Sequence, residues 1–284
     1  MSVADPECNG RPVSQQGSAT SITSEPVRVD TSRVRITTRT LRRDRWWLQP
    51  VLTDFGLLAF VIYATWVAVQ NAHYYIDPYI SPFYSPCITD SCPVGARTFH
   101  AAFAVPTAVS PALIVLIFPL GFRVSCYYYR KAYYRSFWAS PPACAVSEPH
   151  RHYTGETRFP LTLQRAHRYF FFFGVVFALI LTYDAVLAFD FRGHAGMGLG
   201  TLALLVNAIL IWGYTLGCHS CRHIIGGRLR AFSRHPLRYR FWSAVSVLNG
   251  KHMQWAWTSL IWIALTDVYI RLVATGTITD PRFF

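Results

Sequence analysis

Five apolar stretches set the first limit on what this chain can fold into. They run roughly from Phe55 to Val69, Ala104 to Phe122, Phe170 to Phe189, Leu199 to Leu216 and Ala256 to Ala274. Each approaches the ~20 residues that cross about 30 Å of hydrocarbon. Backbone in lipid has to satisfy its own N–H and C=O groups, so runs of this kind are helices. Only 14% of the 284 residues are charged, and 20 Phe, 16 Tyr and 9 Trp accompany the apolar runs. The sequence therefore predicts an all-α integral membrane bundle of about five transmembrane helices, not a soluble globule. The first run is the shortest. The second contains Pro106, Pro111 and Pro119, which membrane helices tolerate where neighbours satisfy the freed carbonyls.

Charge orients the bundle. Of 27 Lys and Arg, 8 precede the first run, 8 lie between Arg123 and Arg168, and 7 lie between Arg222 and Lys251. Arg97, Arg192, Arg271 and Arg282 are the rest. By the positive-inside rule those three basic segments are cytoplasmic. The N-terminus is then cytoplasmic, the C-terminus outside, and the protein a multi-pass membrane protein. The net charge of +13 is explained by topology and lipid headgroups, with no nucleic acid needed. Residues 1–44 are polar and rich in Ser, Thr, Gln, Pro and Gly. They read as a disordered or partner-bound tail with no signal-peptide core, ahead of an anchor domain at 45–284 with two long basic loops. There is no Walker loop, no GxGxxG and no nucleophile elbow, so the chain has no catalytic residues of the soluble hydrolytic type.

The seven cysteines divide by side. Cys8 is in the tail. Cys87 and Cys92, in "SPCITDSCPVG", fall in an outer loop and read as a disulfide. Cys126, Cys144, Cys218 and Cys221 gather on the cytoplasmic side, where metal binding or catalysis is commoner than disulfides. Histidines lie at both ends of the spans, so axial ligands for two b haems are available. The inner set is nevertheless accompanied by four cysteines that a haem protein does not need.

The densest donor cluster is "GCHSCRH", residues 217–223, at the end of the fourth run. On a helix Cys218 and Cys221 sit about 60° apart, and His219 and His223 about 40° apart on another face. One regular helix cannot turn all four to one metal, so Cys126, Cys144 or His150 must contribute. The inventory suits zinc or a [2Fe–2S] cluster, in its Rieske form with two Cys and two His.

Longer motifs narrow the choice. "SCYYYRKAYYRSFWASPPACAVSEPHRHYTGETRFPL", "HRYFFFFG", "GCHSCRHIIGGRL" and "HMQWAW", in that order, resemble the membrane anchor of an actinobacterial, mycobacterial-type succinate dehydrogenase, the type F respiratory complex II. The resemblance covers most of residues 45–284. It implies a single anchor beneath a flavoprotein subunit and an iron–sulfur subunit. It also implies a membrane-embedded Rieske-type [2Fe–2S] cluster in place of haem, quinone reduction (menaquinone or ubiquinone), and a complex that can form higher oligomers. The expected ligands are drawn from Cys126, Cys144, Cys218, Cys221, His219, His223 and His150. A quinone site needs a donor and an aromatic wall, for which His252, Trp255, Tyr127 and Arg130 are candidates. The alternatives are a di-haem b anchor and a non-redox membrane protein with zinc.

Overall fold

The computed structural model describes residue 42 and residues 44–284 apart from 90–91, 94–95, 97, 99, 106–109, 147–165 and 228. Apart from Arg42 and Asp44, the expected tail lies outside the described residues.

Four helices are long and apolar enough to cross a membrane by themselves. They are α1 (Leu48–Gln70), α5 (His167–Leu187), α6 (Leu199–Leu216) and α9 (His252–Ala274). At about 1.5 Å per residue each covers roughly 27–35 Å. Helices α1 and α9 begin several residues before their apolar runs. A helix persists through Gln49, Thr53 and Asp54 because its backbone bonds do not depend on hydropathy.

The expected second span is different from a single helix starting at Ala104. Residues His100–Val105 form strand β4, and helix begins only at Pro111. There α2 (Pro111–Val115) and α3 (Ile117–Val124) follow one another, then α4 (Tyr127–Ala132) and a π-helical turn at Tyr133–Phe137. The two halves, Pro111–Val124 and Tyr127–Phe137, meet at 69° and pass as one span only together. Proline explains the geometry. Ser110 is held extended (φ −57°, ψ 129°) before Pro111, and Pro119 cannot bond back to Val115, which separates α2 from α3 at Leu116. Two shorter helices, α7 (His219–Gly226) and α8 (Pro236–Gly250), join α6 to α9.

The far end of the bundle carries a cap that hydropathy does not reveal. Strands β1 (Tyr75–Ile76) and β2 (Tyr79–Ile80) form a hairpin, and β3 (Cys87–Thr89) pairs in parallel with β4. A second hairpin, β5 (Asp190–Phe191) with β6 (His194–Ala195), turns at Arg192 (φ 55°) and Gly193 (φ 89°), the left-handed geometry of a tight two-residue loop. Cys87 and Cys92 are joined by a disulfide. Tyr79, Ile80, Phe83 and Tyr84 are buried.

Three carboxylates tie this cap to the spans. Asp184 accepts from Ser85 and Thr98. Asp267 accepts from Tyr63 and Ser81 and pairs with Arg271 Nε at 2.8 Å. Asp280 accepts from Tyr79, Tyr269 and the Gly200 amide. A buried charge is tolerable only when so partnered. Large apolar side chains such as Phe55, Ile62, Phe172 and Val186 remain exposed, as a lipid-facing surface requires.

Candidate metal and quinone site

The opposite end of the bundle gathers the sulfur and imidazole side chains, and it does so at helix breaks. Cys126 sits in the bend between α3 and α4, where its amide bonds back to Arg123 O at 3.0 Å. His167 is the first residue of α5 and His252 the first of α9. Cys218 is the N-cap of α7, its sulfur accepting from the Ser220 amide at 3.3 Å. A side chain at a break points past the end of its helix, so four breaks at one membrane level can converge.

They form two sulfur–imidazole pairs. His167 Nε2 is 3.0 Å from Cys218 Sγ, and Cys126 Sγ is 3.5 Å from His252 Nε2. Cys126, Cys218 and His252 are 1%, 0% and 2% exposed. The pairs are linked by a column of rings. Phe122 stacks on His167 (4.9 Å between centroids, 9°) and touches Tyr214 at 5.2 Å. Tyr214 stacks on His252 (5.0 Å, 5°), which also meets Tyr128 at 5.3 Å. Ser125 Oγ lies 2.9 Å from His167 Nδ1 and fixes that ring, whereas His252 Nδ1 has no hydrogen-bond partner. Gly217 is required here, since a Cβ would come within 2.7 Å of Gly213 O and 3.2 Å of His252 Nδ1.

The other expected donors are placed differently. Cys221 is buried in the same apolar cluster but, among the described residues, is not paired with an imidazole as Cys126 and Cys218 are. His219 and His223 are exposed on α7, turned away from its buried face as the helical angles require. Cys144 is disulfide-bonded, which takes its thiolate out of the donor set, and Arg42 Nη1 donates to its carbonyl at 2.8 Å. His150 lies outside the described residues. Among those residues, no group of three or more His, Cys, Asp or Glu side chains is spaced as a ready-made metal site. The outer histidines His73 and His194 are exposed, and the side chain of His100 is outside the described set.

A cavity of about 270 Å³ reaches this layer from the lipid side. Phe60, Leu116, Phe177 and Ile211 form its walls, and Arg123 and Tyr214 lie at one end. Val61, Leu113, Ile117 and Leu120 line it and are also exposed, so it opens between α1 and the α2–α3 pair. Tyr214 is 1% exposed, and its hydroxyl makes no well-aligned hydrogen bond but lies beside the Cys126 thiol. Of the expected quinone residues, His252 belongs to the sulfur–imidazole layer. Trp255 lies against Gly213, where a Cβ would meet its ring at 2.6 Å, and its Nε1 is unpartnered. Tyr127 is 62% exposed, and the side chain of Arg130 is not among those described.

Residues 48–276 match the family model described as actinobacterial succinate dehydrogenase subunit SdhC. The chain belongs to that family. It is also similar to a chain of the solved "Mycobacterium smegmatis Sdh1 complex in the apo form", with 54% identity, 89% of this chain and 97% of that one covered, and a TM-score of 0.81. No curated protein matches. As an SdhC-type subunit, the chain is the multi-pass membrane anchor of a succinate:quinone oxidoreductase in the plasma membrane. His167, Tyr214 and Arg123 were not picked out by sequence reasoning. The available signal was position, because His167 opens "HRYFFFFG" as Cys126 and Cys218 close their apolar runs.

Proposed function

We propose that this anchor passes electrons from an iron–sulfur subunit, itself fed by a flavoprotein subunit, to a quinone in the bilayer. In this reading Cys126, Cys218, His167 and His252 hold a Rieske-type [2Fe–2S] cluster. The observation that carries it is the presence of two buried sulfurs, each beside an imidazole, brought to one level by four helix breaks. The donor set has the Rieske composition of two thiolates and two imidazoles. The unpartnered Nδ1 of His252 and the pairing of sulfur with imidazole suit side chains that a metal would draw together. His219 and His223, expected as ligands from spacing, are the second choice because they are exposed.

When bound, such a cluster supplies a one-electron relay whose potential is raised by its two imidazoles. The chain's own residues do the rest. Ser125 holds the His167 ring, Tyr214 and Phe122 clamp both imidazoles by stacking, and the apolar shell excludes water. Outer hydrogen bonds and burial of this kind set ligand orientation and potential. The cavity beside Arg123 and Tyr214 suits a quinone, since its walls are apolar and the Tyr214 hydroxyl can donate to a carbonyl. Tyr127, Trp255 and Arg130 belong to the same end of the bundle and are further candidates for the path of the head group. The three basic segments place this end on the cytoplasmic side, where the soluble subunits would dock on a positive face.

The test is purification from native membranes followed by electron paramagnetic resonance of the dithionite-reduced complex. Co-purification of a flavoprotein and an iron–sulfur protein, with a signal of low average g typical of His-ligated [2Fe–2S], supports the reading. A b-type haem band supports the di-haem alternative. Spectral silence with stoichiometric zinc supports a structural Cys₂His₂ site.

A further inference from the structure

Arg123 stands at the inner end of α3, and its surroundings differ from those of the other basic residues at this end of the bundle. Its guanidinium lies 4.7 Å from the centre of the Tyr214 ring, the ring that stacks on His252. Its Nη1 donates to Tyr129 Oη at 2.9 Å and to Ala256 O at 3.2 Å, and its Nη2 donates to Ser259 Oγ at 3.1 Å. Every one of these acceptors is neutral. Among the described residues no carboxylate pairs with Arg123. The charge is one ring away from His252, through Tyr214, and Cys126 bonds back to the Arg123 carbonyl at 3.0 Å.

A half-buried cation held by neutral dipoles at the edge of an apolar bundle is an uncompensated field source. Its effect is weakly screened because the local dielectric is low. Hydrogen bonding alone does not account for it. Tyr129 Oη already donates to Ala256 O at 2.6 Å, so these acceptors do not depend on an arginine. The helix C-terminus favours a cation, but a solvent-facing Lys or Arg would serve that purpose without these contacts.

We infer that Arg123 is a positioning residue whose fixed charge raises the reduction potential of the centre held by Cys126, Cys218, His167 and His252. The inference rests on the cluster reading above. One-electron reduction of a [2Fe–2S] centre with two thiolates and two neutral imidazoles takes it from neutral to singly negative. The electron comes from the soluble iron–sulfur partner, no proton is required, and the electron leaves to quinone. A nearby positive charge therefore favours the reduced form over the oxidised one. Through Tyr214 the same side chain fixes the face of His252, so charge and orientation are supplied together.

The experiment is a redox titration of the assembled complex, following the His-ligated [2Fe–2S] signal by electron paramagnetic resonance. R123Q keeps a hydrogen-bonding amide and loses the charge. R123K keeps the charge and loses the fork. The expected result is a lower midpoint for R123Q, on the order of a tenfold loss in the equilibrium for accepting the electron, about 59 mV for one electron. R123K should stay near the parent. Ser259→Asp is the companion variant, because it places a carboxylate against Nη2 without removing the arginine. It should lower the midpoint in the same direction, and it serves if R123Q fails to assemble. An unchanged midpoint in both R123Q and Ser259→Asp overturns the inference. So does an equal shift in R123Q and R123K, which would make the role one of packing. Absence of the signal in the parent complex instead defeats the cluster reading on which the inference depends.

Discussion

His167 Nε2 lies 3.0 Å from Cys218 Sγ although 51 positions separate them in the chain. The distance follows from a helical hairpin. Helix α5 starts at His167, α6 ends at Leu216, and the short β5–β6 turn joins them, so the start of one and the end of the other share a membrane level. The second pair, Cys126 with His252, is brought to that level by the bend after α3 and the start of α9. The apolar runs act as rulers, and the donors are the residues at the rulers' ends.

Tyr214 provides a direct test of the cavity. Its hydroxyl makes no well-aligned hydrogen bond and has the Cys126 thiol beside it, so Tyr214→Phe gives up at most a weak contact to sulfur and should change complex stability little. The stack on His252 is kept. If the hydroxyl donates to quinone, the variant loses one hydrogen bond of about 0.5–1.5 kcal/mol, which is up to roughly tenfold in kcat/KM for quinone. Steady-state quinone reduction, measured beside succinate oxidation by a soluble dye, checks this. Equal losses in both assays would point to disturbed assembly, and no loss in either would remove Tyr214 from the quinone site.

The cap should depend on its buried ion pair. Asp267 has 0% and Arg271 9% of its side chain exposed. Asp267→Asn keeps the shape but leaves the guanidinium without a counter-charge, a change that costs about 3–5 kcal/mol in buried pairs. The expected outcome is a clear drop in the thermal unfolding midpoint of the detergent-purified complex. Combining Asp267→Asn with Arg271→Met should recover part of the loss, because the double variant removes both charges.

How much of this was legible in the sequence depends on the kind of signal. Runs of apolar residues identified α5, α6 and α9 to within a few residues, since lipid demands both length and hydropathy. The second span starts later than its hydropathy predicts. Pro106, Pro111 and Pro119 were visible, but their effect on helix phase depends on where the chain can bend, and His100–Val105 pairs with β3 instead. The cap was invisible because its strands are two to six residues long and are held by side chains distant in sequence, such as Asp184 and Asp267. At the site, spacing argues against a single-helix set from "CHSCRH", and in the structure Cys218 and Cys221 are buried while His219 and His223 are exposed. Spacing could not rank His167 against His219, because nothing local tells an imidazole at a span's start that a sulfur stands at the end of the next span.

Orientation is open to a simple check. The three basic segments predict a cytoplasmic N-terminus and an outer C-terminus. A reporter active only outside the cytoplasm, fused after Phe284, should be active. A reporter that requires the cytoplasm should be silent in the same place. The opposite pattern would mean that the bent α3–α4 pair is a re-entrant loop and the spans are four.

The most direct test of the proposed ligand set is the electron paramagnetic resonance spectrum of complexes carrying His167→Ala with His252→Ala, beside complexes carrying His219→Ala with His223→Ala. Both should be compared at equal content of the soluble subunits. The first pair should abolish the low-g [2Fe–2S] signal and succinate-to-quinone electron flow, while the second pair should retain the signal. Survival of the signal in the first pair, with its loss in the second, would contradict this assignment and return the ligands to α7.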